Sequence, residues 1–431
     1  MSLQRELKPA IPLDLGSRPK ALRQGPRRHI AMFIYAPTGG GAQRRAITLA
    51  NAFAERGHLV DFVVVRSRGL MSGELSPRVG LVRFDCEWGP VEARVRRTVR
   101  HRGIETALSI PDLARYLRGE RPDVLLSAAS HVNLVSLLAW RLAGRPMPLV
   151  LRASNHPSAN LRLFSPFEKL LRRYLRWLAR QIYPWANAVI AVSDGVADEL
   201  ERVSRTPRER IRRIYNPVVT PEFLARMEEQ VDHPWLAADQ PPVILGVGSF
   251  KIQKDFITLV RAFKRVRAVR PARLVILGKG PQRAIIKNIV KEQGLAADVH
   301  LPGYVANPLA WMSKASVFVL SSLWEGLPGV LIEAMACGCP VVSTDCPSGP
   351  REILSDGIYG PLVPPGDPDA LARAVLSTLW LPPERRFLQR RASLFLLDNA
   401  VDAYLDVFEQ CIGKHSGKSL GAPTGPLVMP S

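Results

Sequence analysis

The chain is poor in the features that staple or anchor a fold. Its 431 residues hold five cysteines, Cys86, Cys337, Cys339, Cys346 and Cys411. The number is odd, and Cys337 and Cys339 stand one residue apart without a second such pair or histidines at zinc-finger spacing. That argues against a disulfide framework and structural zinc, and for a reducing, cytoplasmic setting. No 18 apolar residues follow one another, since the best stretch, Asn133–Val150, is interrupted by Arg141 and Arg145. A membrane-spanning helix is therefore not expected. The first 28 residues lack an apolar signal-peptide core and read as a disordered basic arm. "TGGGAQRR" lacks both the Gly-Lys-Ser/Thr ending of a phosphate loop and the spacing of a dinucleotide fingerprint.

Base, by contrast, is abundant. The net charge is +21, unevenly spread. Residues 1–215 hold 37 Lys and Arg against 18 Asp and Glu, a net of +19, while residues 216–431 hold 22 against 20, a net of +2. Two halves so different point to different partners. The length also favours two domains over one core. "HIAMFIYAP", "LVDFVVV", "DVLLSAA", "PLVLRAS" and "AVIAVSD" alternate with helical stretches, as in a doubly wound parallel sheet. A second series runs through "VILGVGS", "ARLVILGKG", "HLPGYV", "VFVLSS" and "PVVSTD". The expected organisation is an arm at 1–28, a Rossmann-like domain at 29–218 and a linker at 219–240. A second Rossmann-like domain at 241–380, a helical segment at 381–412 and a disordered tail at 413–431 follow.

Between "ASVFVLSS" and "PVVST" lies "EGLPGVLIEAMACGCP", in which Gly326 and Pro328 open a helix and Gly338 and Pro340 stop it. Glu325 is then in a tight loop and Glu333 in the early turns of the helix. Both lie beside the carboxyl end of a buried strand, where open α/β sheets bind ligands. In surroundings this apolar, acids need partners. A glycosidase pair would need one protonated carboxyl beside the scissile bond. Glu333 in a nucleotide-type cleft is better suited to accept from two adjacent hydroxyls, as acids do from a ribose in dinucleotide sites. "GVGSFKIQKDF" is a second strand–helix turn, with Lys254 as a charge beside a helix N-terminus. Asp367-Pro368-Asp369 has the look of a divalent-cation motif, but Asp367 before proline and a helical run reads as an N-cap, with Asp369 in the first turn. No metal is expected there.

These stretches resemble retaining glycosyltransferases of family 4, of the GT-B fold, along residues 30–410. "EGLPGVLIEAMACGCPVV" is similar to the family's Glu-x7-Glu element, and "LVILGKGP", "LPGYV", "DCPSGPREIL" and "YGPLVPPGD" keep the family's order around it. The resemblance implies two Rossmann-like domains facing across a cleft, and transfer of a hexose-type sugar from a nucleotide-sugar with retained configuration. The acceptor would be a saccharide or lipid-linked saccharide, in the synthesis of cell-surface polysaccharide or glycolipid. It places Lys254 on the diphosphate, Glu333 on the ribose and Glu325 near the sugar hydroxyls. Backbone N–H groups of Gly326, Leu327, Pro328 and Gly329 would border sugar and phosphates, proline supplying none. Tyr304 and Val305 would border the base, and Gly40, Gly41 and Gly278 would complete the donor side. Asn133, Arg152 and Asn155 would face the acceptor, with His131 joining Glu325 and Lys254 as a catalytic candidate. The family's usual second diphosphate cation is an arginine where this chain has Ser249.

The implied chemistry needs no cofactor and no metal, because the nucleotide-sugar is a substrate and Lys254 and helix N-termini can stabilise the leaving anion. "PFEKLLRRYLRWLARQIYPW" sets Lys169, Arg172, Arg173, Arg176 and Arg180 among leucines and aromatics, and "EARVRRTVRHR" adds a second cluster. Such a stretch either lies on anionic lipid, on the inner face of the cell membrane, or is a solvated face. Two other functions stay open: a nucleotide-sugar epimerase of the same architecture, and a basic nucleic-acid-binding protein. The second is disfavoured, since no RNA-type interleaving of aromatics accompanies the charge.

Overall fold

Strands apolar on both faces, joined by helices with one apolar stripe, build two all-parallel sheets covered on each side. The structure, a computed structural model, describes residues 26–36, 41–66, 74–84, 102–154 and 166–417. In the first half β1 (His29–Ile34), α1 (Gly41–Glu55), β2 (Leu59–Val64), β3 (Val79–Arg83), α2 (Arg102–Leu108), α3 (Ile110–Glu120) and β4 (Val124–Ser127) are followed by α4 (Asn133–Leu142), β5 (Leu149–Ala153), α5 (Pro166–Ile182), β6 (Ala188–Ala191), α6 (Asp194–Ser204) and β7 (Ile211–Arg213). After α7 (Phe223–Glu228) come β8 (Val243–Val247), α8 (Phe256–Val269), β9 (Arg273–Leu277), α9 (Arg283–Glu292), β10 (Val299–Gly303) and α10 (Pro308–Lys314). The chain continues through β11 (Val317–Leu320), α11 (Gly329–Ala336), β12 (Val341–Thr344), α12 (Pro350–Ile353), β13 (Leu362–Val363), α13 (Pro368–Trp380), α14 (Arg385–Ala392) and α15 (Leu397–His415).

Among the described residues the first sheet has seven strands in the order β3-β2-β1-β4-β5-β6-β7, and the second has six in the order β10-β9-β8-β11-β12-β13. Each is parallel throughout. The strand order reverses between β1 and β4 in one sheet and between β8 and β11 in the other. Those are the crevices where such sheets take ligands. The loop before α1, the turn before α4, the Lys254 turn and the Glu325 loop all leave these four strands.

Several boundaries differ from the sequence reading. Residues 219–240 are not slack: α7 is docked on the second domain, where Arg226 donates to the Ala306 carbonyl at 3.0 Å and Asn307 donates to the Arg226 carbonyl at 2.6 Å. The helical stretch after α14 breaks at Ser393–Phe395, and α15 runs back over the first domain. There Phe53 of α1 packs on Tyr404 and Phe408, with ring centroids 6.1 and 5.7 Å apart. Arg28, assigned to the arm, is held by both oxygens of Glu409 at 2.7 and 2.6 Å. Residues 413–415, assigned to the tail, are the last of α15. The two crossings between domains are tied together, since the Phe395 carbonyl accepts from Val218 and Val219 N–H at 3.0 and 3.1 Å. Leu397 N–H returns to the Val219 carbonyl at 3.0 Å. Residues 1–25 of the arm, residues 418–431 of the tail and the cluster at 92–101 lie outside the described residues.

Candidate active site

The site is built around α11, an eight-residue helix apolar on nearly every side. Leu331, Ile332, Ala334, Met335 and Ala336 are buried, and Glu333 is the single charged group on it. Such a helix packs on all faces but one. Its remaining face turns Glu333 to the cleft, where the Arg45 Nη2 atom of α1 donates to Glu333 Oε1 at 2.5 Å. Pro328 is the N-cap rather than the first helical residue, and Gly329 begins the helix.

Eight residues earlier, Glu325 is only 7% exposed, so each oxygen must be satisfied. Oε1 accepts from Lys254 Nζ and from Ser322 Oγ, both at 2.7 Å, and Oε2 from Gln253 Nε2 at 3.4 Å. The turn bearing Lys254 is itself tied to this loop. Ser321 Oγ donates to the Lys254 carbonyl, Gln253 to the Trp324 carbonyl, and Leu323 N–H to the Gln253 carbonyl. Lys254 and Glu325 thus form one rigid unit between α8 and α11. Gly326 is bound from both domains: its carbonyl accepts from Ser193 Oγ of the first domain and from Ser348 Oγ of its own, each at 2.9 Å.

The other donor-side candidates gather nearby. Ser249 is exposed, and its carbonyl accepts from Lys251 N–H. Gly278, at φ +144°, lets the turn after β9 touch the Gly248 carbonyl. Tyr304 is 59% exposed, with Lys279 Nζ 5.2 Å from its ring centroid, and Val305 packs on the core. Leu327 is buried, and Gly41 opens α1 at its exposed end.

Two acceptor-side expectations are corrected. Asn133 is fully buried, donating to the Arg152 carbonyl at 3.2 Å and to Tyr183 Oη at 3.1 Å while accepting from Ser127 Oγ at 2.7 Å. Arg152 is also fully buried, donating to the Ala128 carbonyl at 3.0 Å and to Asn216 Oδ1 at 2.7 Å. Neither side chain reaches an acceptor; both satisfy polar groups inside the first domain. Gly40, Asn155 and the His131 side chain lie outside the described residues, His131 being in the Ser130–Val132 turn. At Asp367-Pro368-Asp369, Asp367 Oδ1 caps α13 by accepting from Asp369 and Ala370 N–H, both at 2.9 Å, and Asp369 pairs with Arg265.

Residues 39–221 match the model described as Glycosyltransferase Family 4, and residues 241–379 match Glycosyl transferases group 1. The lipopolysaccharide core biosynthesis glycosyltransferase LpsD of Rhizobium meliloti is 30% identical over 388 residues, covering 89% of this chain and 99% of that protein. The chain belongs to the GT-B glycosyltransferases.

A second relative of this glycosyltransferase is the Campylobacter jejuni N-acetylgalactosamine-N,N'-diacetylbacillosaminyl-diphospho-undecaprenol 4-alpha-N-acetylgalactosaminyltransferase. It is 28% identical, over 78% of this chain and 85% of its own. Sucrose-phosphate synthase from Thermosynechococcus elongatus shares the fold at TM-score 0.69 and 22% identity, covering 90% of this chain and all of that one. HepE of Anabaena, solved with UDP and glucose, does so at TM-score 0.63 and 18% identity, over 91% and 100%.

Sequence reasoning missed the groups by which the transferase's two domains meet. Arg45 could have been found, since it shares the i, i+4, i+7 stripe of Leu49 and Ala52, a place where an arginine needs a partner. Ser193, Ser348 and Glu352 carry no such signal. Glu352 Oε2 accepts from Asp194 N–H at 2.8 Å across the domains, and Oε1 lies 4.0 Å from Arg213, beside Tyr215 and a cavity of about 590 Å³ lined also by Ser348 and Asp345. Burial pushes its carboxyl up to about 7; Asp194 adds to this, while the Tyr215 hydroxyl opposes it. An unfolded carboxyl titrates near 4.5, so between about 4.5 and 7 the folded state keeps a proton that the unfolded chain gives up. The stabilisation is complete below that window and is lost as pH rises through it. Glu352→Gln should therefore melt about 2–4 °C above the parent at pH 8 and close to it at pH 5, by calorimetry. Parallel melting profiles for the two proteins would contradict this.

Proposed function

We propose that the enzyme moves a hexose-type sugar from a nucleotide-sugar to a saccharide or lipid-linked saccharide, with retained configuration and without a metal, as a family 4 enzyme of cell-surface polysaccharide or glycolipid synthesis. The observation that carries this is the pairing of each acid of one strand–loop–helix unit with a cation, Lys254 on Glu325 and Arg45 on Glu333. Cations there suit a diphosphate, and acids suit the hydroxyls of sugar and ribose. The relatives named for undecaprenol-linked and lipopolysaccharide substrates support the acceptor class.

In this reading the bond from the sugar's anomeric carbon to the diphosphate oxygen breaks, and the acceptor hydroxyl oxygen bonds to that carbon on the same face. The hydroxyl proton passes to the departing diphosphate oxygen. Lys254 and the N-terminus of α11 stabilise the charge that develops there. Glu325 and Glu333 orient the donor, and the meeting of the domains keeps water from the anomeric carbon. The test is product formation from UDP-, GDP- and ADP-sugars with lipid-linked acceptors, in excess chelator. Transfer with an α-linked product from an α-linked donor is expected. Loss of activity in chelator, restored by manganese or magnesium, would exclude the metal-free reading. Epimerised donor formed without acceptor would favour the epimerase.

The acceptor's lipid would be met on the basic half. Among the described residues no helix is long and apolar enough to cross a membrane. On α5, however, Tyr174, Leu175 and Trp177 are 55%, 39% and 56% exposed, interspersed with Arg173, Arg176 and Arg180. Exposed apolar and basic groups on one helix suit an anionic interface, each basic residue adding about 1 kcal/mol near the surface. Replacing Arg173, Arg176 and Arg180 by Gln should reduce co-sedimentation with phosphatidylserine vesicles at low salt severalfold and leave donor binding unchanged. Equal recovery on anionic and neutral vesicles would refute docking.

A further inference from the structure

Arg45 enters the cleft from the wrong side for a structural side chain. It belongs to α1 of the first domain, is 9% exposed, and donates to an acid of the second domain. Its guanidinium lies against the start of α11: a Cβ on Gly329 would stand 3.0 Å from Arg45 Nη2. The cation therefore spans one helical turn, from Glu333 to the helix N-terminus, where anions are favoured.

The charges around it balance in a particular way. Lys254 is occupied by Glu325, and Arg45 by Glu333. Ser249 is exposed and uncharged. A nucleoside diphosphate brings neutral hydroxyls and an anionic diphosphate, so its arrival exchanges partners. Hydroxyls take the carboxylates, and each released cation needs an anion. For Arg45 the near one is a diphosphate at the first turn of α11. A planar guanidinium can hold it by two parallel bonds, which a lysine cannot.

We propose that Arg45 is the second diphosphate cation of the donor site, supplied across the cleft by the opposite domain, and that it is passed from Glu333 to the donor's diphosphate when the ribose takes Glu333. This rests on the donor reading above. It makes the first domain part of the donor site, so that binding of the diphosphate itself draws the two domains together.

The experiment is calorimetric titration of the full chain, its Arg45→Gln and its Arg45→Lys variants with UDP, GDP and ADP and with the matching nucleosides, melting curves confirming that each variant is folded. The parent should bind one diphosphate more tightly than its nucleoside. Arg45→Gln should weaken that diphosphate about tenfold while leaving the nucleoside unchanged or tighter, because Glu333 is freed. Arg45→Lys should recover part of the loss. Equal weakening of diphosphate and nucleoside would make Arg45 a structural tie and overturn the proposal. Tighter binding of both would make it a plain obstruction and overturn it too. A parent protein that binds none of the three diphosphates would overturn the donor reading itself, and this assignment with it.

Discussion

Lys254→Gln should lower kcat by about 10²–10³ with a smaller change in the donor KM. The reasoning starts from charge. As the bond to the leaving diphosphate stretches, negative charge grows on its oxygen, and a cation fixed in place gains more in that state than in the bound donor. Lys254 is fixed: its backbone is tied to the Glu325 loop and its Nζ lies 2.7 Å from Glu325 Oε1. Glutamine keeps a donor group but not the charge. The fold should survive, since Glu325 retains Ser322 and Gln253 as partners. Steady-state kinetics beside a melting curve check both halves of the expectation. A kcat within threefold of the parent, in a folded protein, would remove Lys254 from the chemistry.

Gly278→Ala should be the most disruptive single methyl group in the second domain. A Cβ at this position would sit 1.9 Å from the Gly248 carbonyl oxygen and 3.2 Å from the Phe250 ring, and φ is +144°. Rotamer adjustment cannot relieve a clash with backbone, and the dihedral is one that alanine rarely adopts. The strands would have to part where Gly248 N–H donates to the Leu277 carbonyl at 3.0 Å. We expect a loss of about 4 kcal/mol or more, seen as a fall of about 10 °C in the transition. Gly57→Ala, also at positive φ but with nothing within 4 Å, is the control. It carries the strain without the collision and should cost less. Equal losses would show that backbone conformation, not close approach, sets the requirement.

The order of strands and helices was legible because apolar runs and glycine or proline stops recur in phase along both halves. So was the unit holding Glu325 and Glu333, whose turn residues and helix formers agree locally. The Asp367 cap was legible from three residues. What could not be read was direction. Arg152 lies near the carboxyl end of β5, as cleft residues do, but a strand buried on both faces gives no polar–apolar alternation to say which way its side chain points. Asn133 opens α4, a helix that buries polar Asn133 and Ser136 among its apolar residues. Arg152 shares its face of β5 with Val150, toward α15, where the buried Tyr404 hydroxyl meets it. Contacts between domains were illegible for a related reason. Ser193 and Ser348 are 155 residues apart, and nothing local to either distinguishes a serine that hydrogen-bonds across a cleft from one that faces water.

The return of α15 has a consequence for how the protein is made. Phe53, on α1, is completed by Tyr404 and Phe408, and Arg56 pairs with Asp398 and Asp402. During synthesis the first sheet is finished when β7 appears, near residue 213. The helix that covers α1 is still about 200 residues away. At about 5–20 residues per second the ribosome needs about 10–40 s to deliver it. For that interval an apolar strip around Phe53 is uncovered, while the whole second domain emerges and folds. The first domain begins earlier and is sealed later.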